Sequence, residues 1–170
     1  MKKNRWQEGF IDFVKTFFVS LVIILLLYHF VAIPVVVEGT SMNPNLQNND
    51  FGFSFIITKN MGIHRFDVAV VSVKNSNKKL VKRVIGLPNE KIEYRQNILY
   101  INDVKVAENF LPELTLTNDF CTKLAEDEYF LLGDNREVSR DSRIYGAFKR
   151  NDFLSTHIWV VWPILHFGGK

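Results

Sequence analysis

The sequence predicts a mainly β protein, an antiparallel β domain standing behind one N-terminal transmembrane helix. Three observations carry this. A charge-free apolar run fills Thr16 to Val37. Beyond it, short β-branched and aromatic runs recur, separated by turn residues. No segment of helical period follows the first run, so the strands lack the alternating helices of a parallel α/β sheet.

Phe17 to Phe30 is nearly all Leu, Ile, Val and Phe. A helix needs about 20 apolar residues to cross the ~30 Å hydrocarbon core, so residues 16–33 are assigned as the anchor. Pro34 disfavours helix at Ile33, which ends the helix near Ala32 or Ile33. Tyr28, His29 and Phe30 then fall towards the far interface, where amphipathic rings sit comfortably. Lys2, Lys3, Arg5 and Lys15 precede the run, so residues 1–15 are expected in the cytoplasm and residues 34–170 outside. A cleaved secretory leader would have an apolar core of about 7–15 residues and a small-x-small site. This run is longer and has no such site. A buried core helix would show a polar face, and none breaks the run.

Val35-Val36-Val37 reads as the first strand, followed by Phe51–Ile57 and Asp67–Val73. Asn75-Ser76-Asn77 turns the chain into Lys79–Leu87. Lys91–Arg95 and Ile98–Ile101 form a hairpin about Gln96-Asn97, and Asn102-Asp103 makes a second tight turn into Val104–Val106. Leu111–Glu126 is polar and reads as a loop, so residues 90–127 form a small inserted β segment. Tyr129–Leu132 and Ile158–Trp162 complete the strands.

The formal net charge of +3 is too small to indicate nucleic acid, and no basic stripe interleaves with aromatics. Cys121 is the sole cysteine, which excludes a disulfide framework and a thiolate cluster. His29, His64, His157 and His166 show no metal-helix spacing. No metal or other cofactor is expected.

Ser41 stands a few residues past the apolar run, where a nucleophile reaches only what lies at the membrane surface. Lys82 lies in Lys79-Leu80-Val81-Lys82-Arg83-Val84-Ile85-Gly86, sharing a strand face with Leu80 and Val84. If that face is the inner one, desolvation disfavours the ammonium and lowers its pKa. Bringing it from ~10.4 to near 7 needs about 4 kcal/mol. A neutral lysine could then take a serine proton, the Ser-Lys form of nucleophilic catalysis. Alone, Lys82 reads equally well as a solvated strand residue, and Ser41 as one loop serine among many. Pro44 occupies the lysine position of the Ser-x-x-Lys pattern, so that pattern fails. Met42 and Phe51 read equally as lipid contacts or as core.

Gly133-Asp134-Asn135-Arg136-Glu137-Val138-Ser139-Arg140-Asp141-Ser142-Arg143 follows an apolar strand with dense charge and hydroxyls. With Gly39-Thr40-Ser41-Met42-Asn43-Pro44 and Lys82-Arg83-Val84-Ile85-Gly86-Leu87-Pro88, all behind the anchor, it closely resembles the type I signal peptidases of Gram-positive bacteria. The resemblance covers nearly the whole chain. It implies a membrane-bound serine endopeptidase that removes signal peptides from exported preproteins at the outer membrane face. It implies Ser41 as nucleophile, Lys82 as general base, and Ser139 as the serine that hydrogen-bonds and orients the lysine. It further implies a supporting Asp141–Arg143 ion pair and an oxyanion hole built on the Ser41 backbone N–H. Signal peptides, membrane lipid and the secretion machinery are the implied partners. Asn45 stands where threonine is common, Arg65-Phe66-Asp67 replaces Arg-Gly-Asp, and Asn89-Glu90 replaces Gly-Asp. None removes a proton-transfer group.

Two other readings compete. A self-cleaving Ser-Lys protease of the repressor type would be soluble. A membrane-tethered, catalytically weak or inactive relative would bind signal peptides without cutting them.

Overall fold

The structure, a computed structural model, describes residues 5–74, 76–113, 115–163 and 168–169. Helix α1 spans Arg5–Val31, 27 residues, about 40 Å at 1.5 Å per residue. Its apolar stretch Gly9–Leu26 is not buried against the rest of the described residues and is long and apolar enough to cross a membrane. The helix stops at Val31, and Ala32 and Ile33 already belong to β1 (Ala32–Val36). Pro34 is the reason, since it biases the residues before it towards extended backbone. The side chains of Tyr28, His29 and Phe30, and residues Lys2, Lys3, Asn75 and His166, lie outside the described residues.

The remaining elements are β2 (Phe51–Phe55), β3 (Val68–Ser72), β4 (Lys79–Gly86), β5 (Lys91–Arg95), β6 (Ile98–Ile101), β7 (Val104–Val106) and β8 (Phe120–Lys123). They continue with β9 (Glu128–Leu132), α2 (Ser142–Tyr145), β10 (Phe148–Lys149), β11 (Phe153–Trp162) and β12 (Gly168–Gly169). An eight-stranded antiparallel sheet runs β1-β2-β11-β3-β4-β9-β10, with β12 beside β11. A four-stranded sheet of order β7-β6-β5-β8 is built wholly from residues 91–123.

Both expected hairpin turns form. Gln96 and Asn97 have φ of 51° and 64°, and Asn102 and Asp103 have φ of 49° and 67°. Positive φ at both central residues matches the right-handed strand twist, which fixes the register on either side. Two expectations need correction. Ile56 and Ile57 leave β2 for a 3-10 turn, Ile56–Asn60. The stretch assigned as loop, Leu111–Glu126, contains β8, which pairs with β5 from Lys91↔Lys123 to Tyr94↔Phe120. Partnership with β5 makes that strand; its own four residues carry little signal.

Three apolar clusters fill the interior. Val35, Met42, Leu46, Val68, Val70 and Ile158 form one, and Ala69, Val71, Val84, Leu131 and Phe153 a second. Ile85, Ile92, Tyr94, Leu99 and Leu132 join the two sheets in the third. Met42 is only 1% exposed, so of its two sequence readings core packing holds. Strand β4 is covered on both faces, for Val81 packs against the first cluster while Val84 belongs to the second. The Leu80/Val84 face that Lys82 shares is thus an inner one, and the opposite face is covered as well.

Candidate active site

Ser41 sits in the loop between β1 and β2. That loop is closed at its neck by Val37 N–H to Asp50 O (2.8 Å) and Asn49 N–H to Val37 O (2.8 Å). Met42 and Leu46, both essentially inaccessible, nail it to the core, and Leu46 N–H donates to Met42 O at 2.9 Å. The serine therefore stands on a rigid turn. From the opposite side, Asn135 N–H donates to Ser41 O at 3.0 Å.

Lys82 enters from β4, paired with Ala69 of β3. Its Nζ donates to Ser41 Oγ at 2.6 Å and to Val81 O at 2.9 Å. Lys82 is 3% exposed. Burial lowers its pKa from 10.5 to about 8, while the Asp141 and Asp134 carboxylates pull the other way.

Asp141 is fully buried. Its Oδ1 accepts from Arg143 Nε at 2.9 Å and its Oδ2 from Arg143 Nη2 at 2.8 Å, a two-pronged ion pair. Oδ1 also caps α2 by accepting from Arg143 N–H at 3.2 Å. Oδ2 takes Gly133 N–H at 3.1 Å. Ser139 departs from expectation. Its Oγ is buried with no hydrogen-bond partner among the described residues, Lys82 included. The Lys82 amine instead uses the Val81 carbonyl, which its own strand supplies one residue away. Ser139 Oγ lies against Gly133, where an added Cβ would stand 2.2 Å from it and 2.4 Å from Ser41 O.

A groove of about 690 Å³ opens beside the pair, bounded by Val36–Met42 on one side and Lys79–Lys82 on the other. Asn77, Lys78, Val138, Arg140 and Tyr145 complete its walls. Strand β1 lies at the sheet edge, and β9 pairs with β4 only from Arg83 onward. The groove thus runs between two strand edges.

Residues 10–162 match the family described as signal peptidase, peptidase S26. The chain belongs to that family. It is 33% identical over 175 residues to signal peptidase I P of Bacillus subtilis subsp. natto, spanning 96% of this chain and 95% of that protein. It is 35% identical over 174 residues to signal peptidase I of Bacillus licheniformis, spanning 95% and 94%. The crystal structure of a signal peptidase I from Enterococcus faecalis is similar with a TM-score of 0.51 and 32% identity, covering 56% of this chain and 96% of that one.

Several residues of this signal peptidase that brace the site escaped sequence reasoning. Arg83 grips Asp134 through Nε (2.8 Å) and Nη2 (2.7 Å), both residues being buried. Asn45 Nδ2 donates to Asp134 Oδ2 at 2.9 Å and to Phe110 O at 2.8 Å, tying the nucleophile loop to that ion pair. The unusual Asn45 thus has a structural use. Arg65 and Glu90 make a third two-pronged pair, at 2.9 and 2.5 Å. The other departures both fall at left-handed backbone: Phe66 has φ 73° and Asn89 φ 67°. Asparagine tolerates that region, whereas for phenylalanine it is uncommon. Phe66 packs on Phe110 with centroids 5.0 Å apart, and Arg83 stacks 4.1 Å above Phe110. The charges of Arg83, beside Lys82, and of Asp134, beside Gly133, were the available signal, but nothing in the sequence pairs them.

Proposed function

We propose that this signal peptidase removes N-terminal signal peptides from exported preproteins by acyl transfer, with Ser41 as nucleophile and Lys82 as general base. The observation that carries this reading is the 2.6 Å contact between Lys82 Nζ and Ser41 Oγ, made by a lysine buried enough to titrate near pH 8. Lys82 Nζ takes the Ser41 proton as Oγ attacks the carbonyl of the residue before the cut. The oxyanion forms against the Ser41 backbone N–H. Lys82 then returns the proton to the departing amine, leaving the signal peptide esterified to Ser41. Water, losing its proton to Lys82, releases it.

Asp141 and Arg143 hold the Gly133 turn against the nucleophile. The buried Ser139 hydroxyl lies against the same Gly133 turn, and a role for it in orienting Lys82 would need a shift of that turn. The substrate lies extended in the groove and adds main-chain hydrogen bonds to the β1 and β4 edges.

Residues 1–15 lie in the cytoplasm, residues 16–33 anchor the chain, and residues 34–170 form the extracytoplasmic peptidase domain. Residues 90–127 are an insertion within it. Lipid contact extends beyond α1. Val36, Phe51, Phe53, Trp159 and Trp162 are linked by cross-strand pairing across β1, β2 and β11, and Val36, Trp159 and Trp162 are 54%, 48% and 62% exposed. That aromatic face lies shortly after α1 ends, where the amphipathic rings of Trp159 and Trp162 suit the bilayer interface. The secretion machinery delivers the substrate.

The test is cleavage of a labelled preprotein by the full chain in detergent. Ser41→Ala and Lys82→Ala are expected to abolish processing with the fold intact. Cleavage at the parental rate by Lys82→Ala would exclude that lysine as the base.

A further inference from the structure

We infer that Glu108, reaching out of the four-stranded sheet, is a positioning residue for the Ser41–Lys82 pair, acting through Arg136 and the Gly133 peptide. The inference rests on the reading of Ser41 as nucleophile and extends it to a residue some distance away in the chain. It starts from Gly133, whose position leaves no slack. A methyl group there would meet Ser41 O at 2.4 Å and Ser139 Oγ at 2.2 Å. Two residues on, Asn135 N–H holds Ser41 O at 3.0 Å. A shift of this turn is therefore passed directly to the backbone of the nucleophile.

The turn is held on both sides of the Gly133 Cα, through the two peptides that flank it. Gly133 N–H goes to Asp141 Oδ2 (3.1 Å), and Gly133 O accepts from Arg136 Nε at 3.0 Å. The first partner belongs to the ion pair already described. The second belongs to a separate network. Arg136 has a completely buried side chain, and its Nη2 meets Glu108 Oε1 at 2.5 Å. Its Nη1 donates to Tyr94 Oη and, at 3.4 Å, to Thr117 Oγ1. Tyr94 Oη in turn donates to Glu108 Oε2 at 2.6 Å. The guanidinium also lies 5.2 Å from the Tyr94 ring centroid. Tyr94 is on β5 and Glu108 follows β7, so this buried charge is held by the second sheet.

A guanidinium without water needs its carboxylate; without it the cation swings towards solvent or draws water in. Glu108 supplies that charge, and Tyr94 fixes the carboxylate's direction. Loss of the Glu108 charge frees Arg136 Nε from Gly133 O, and the turn behind Ser41 loosens. Near-attack geometry is sensitive to such movement, and a displacement of about 1 Å costs on the order of 100-fold in rate. Most of the groove wall, Val36–Met42 and Lys79–Lys82, comes from other elements, and the segment after Arg136 adds Val138 and Arg140. The loss is therefore expected mainly in kcat.

The experiment measures kcat and KM of the full chain in detergent on a labelled preprotein, beside the rate at which Ser41 is labelled by a serine-directed acylating probe. Glu108→Gln and Tyr94→Phe are compared with the parent and with Ser41→Ala, and denaturant midpoints are recorded for each. Glu108→Gln is expected to lower kcat by about 10- to 100-fold and to slow labelling equally, with KM within about twofold of the parent. Tyr94→Phe keeps the charge but loses the hydroxyl's two hydrogen bonds, from Arg136 and to Glu108, and is expected to lower kcat by about threefold. If Glu108→Gln does not fold, Tyr94→Phe decides alone. A parental kcat in the folded variants overturns the inference, as does a loss confined to KM. Failure of the underlying reading would look different, with Ser41→Ala still cleaving.

Discussion

Lys82 Nζ stands 2.6 Å from Ser41 Oγ, close enough for one proton to serve both groups. The amine must be neutral to accept that proton, and burial brings its pKa down to about 8. At pH 7 only about a tenth of the enzyme then carries the free base. We expect kcat/KM to rise about tenfold per pH unit below pH 8 and to level off above it. Measurement from pH 6 to 10 checks this, and a flat profile would argue against lysine as the base.

The same burial has a cost in stability. The unfolded chain, with lysine near 10.5, binds more protons than the folded one between about pH 8 and 10.5. Stability therefore rises with pH across that window, and the penalty, about 3 kcal/mol from the shift, stands in full below it. Lys82→Met should end cleavage yet raise the unfolding free energy at pH 7 by roughly 1–3 kcal/mol. The gain should shrink by pH 10. An equal gain at both values would contradict a depressed lysine.

Gly133 tests how closely the turn abuts the nucleophile. A Cβ at 2.4 Å from Ser41 O cannot be met by rotating a side chain, because that oxygen is backbone. Gly133→Ala is expected to lower kcat by 100-fold or more, a figure of the order seen for ~1 Å misplacement. Gly39→Ala meets no atom within 4 Å and carries only its φ of 84°, so its effect on rate should be much smaller. Equal activities would refute the contact.

Phe66 holds an uncommon backbone conformation, φ 73°, while packing on Phe110. Removing the ring should destabilise in either of two variants. Phe66→Gly should nevertheless be more stable than Phe66→Ala by about 1 kcal/mol, since glycine alone relaxes at positive φ. The ordinary order, with alanine the more stable, would show that the loop carries no backbone strain. Urea unfolding of the two proteins decides it.

The local features of this fold were legible because they are local. The turns at Gln96-Asn97 and Asn102-Asp103 lie between strands of alternating pattern, and both take the positive φ such turns need. The apolar helix was legible from composition, and its end from Pro34. Strand β8 was not, since Phe120–Lys123 owes its extended shape to β5. Residues Arg83 and Asp134 were visible as charges but not as a pair.

By itself the sequence determined an apolar helix followed by short antiparallel strands, and the order in which a serine, a lysine and a charged turn follow one another. Those depend on period, on proline and on turn residues, which act over a few positions. Only the tertiary structure decided that Lys82 is covered from both sides of its strand and that its amine meets Ser41 rather than Ser139. It likewise decided that Arg136 takes its counter-charge from Glu108 in the other sheet. Burial and charge pairing depend on residues far apart in the chain, and those meet only when the sheets close around them.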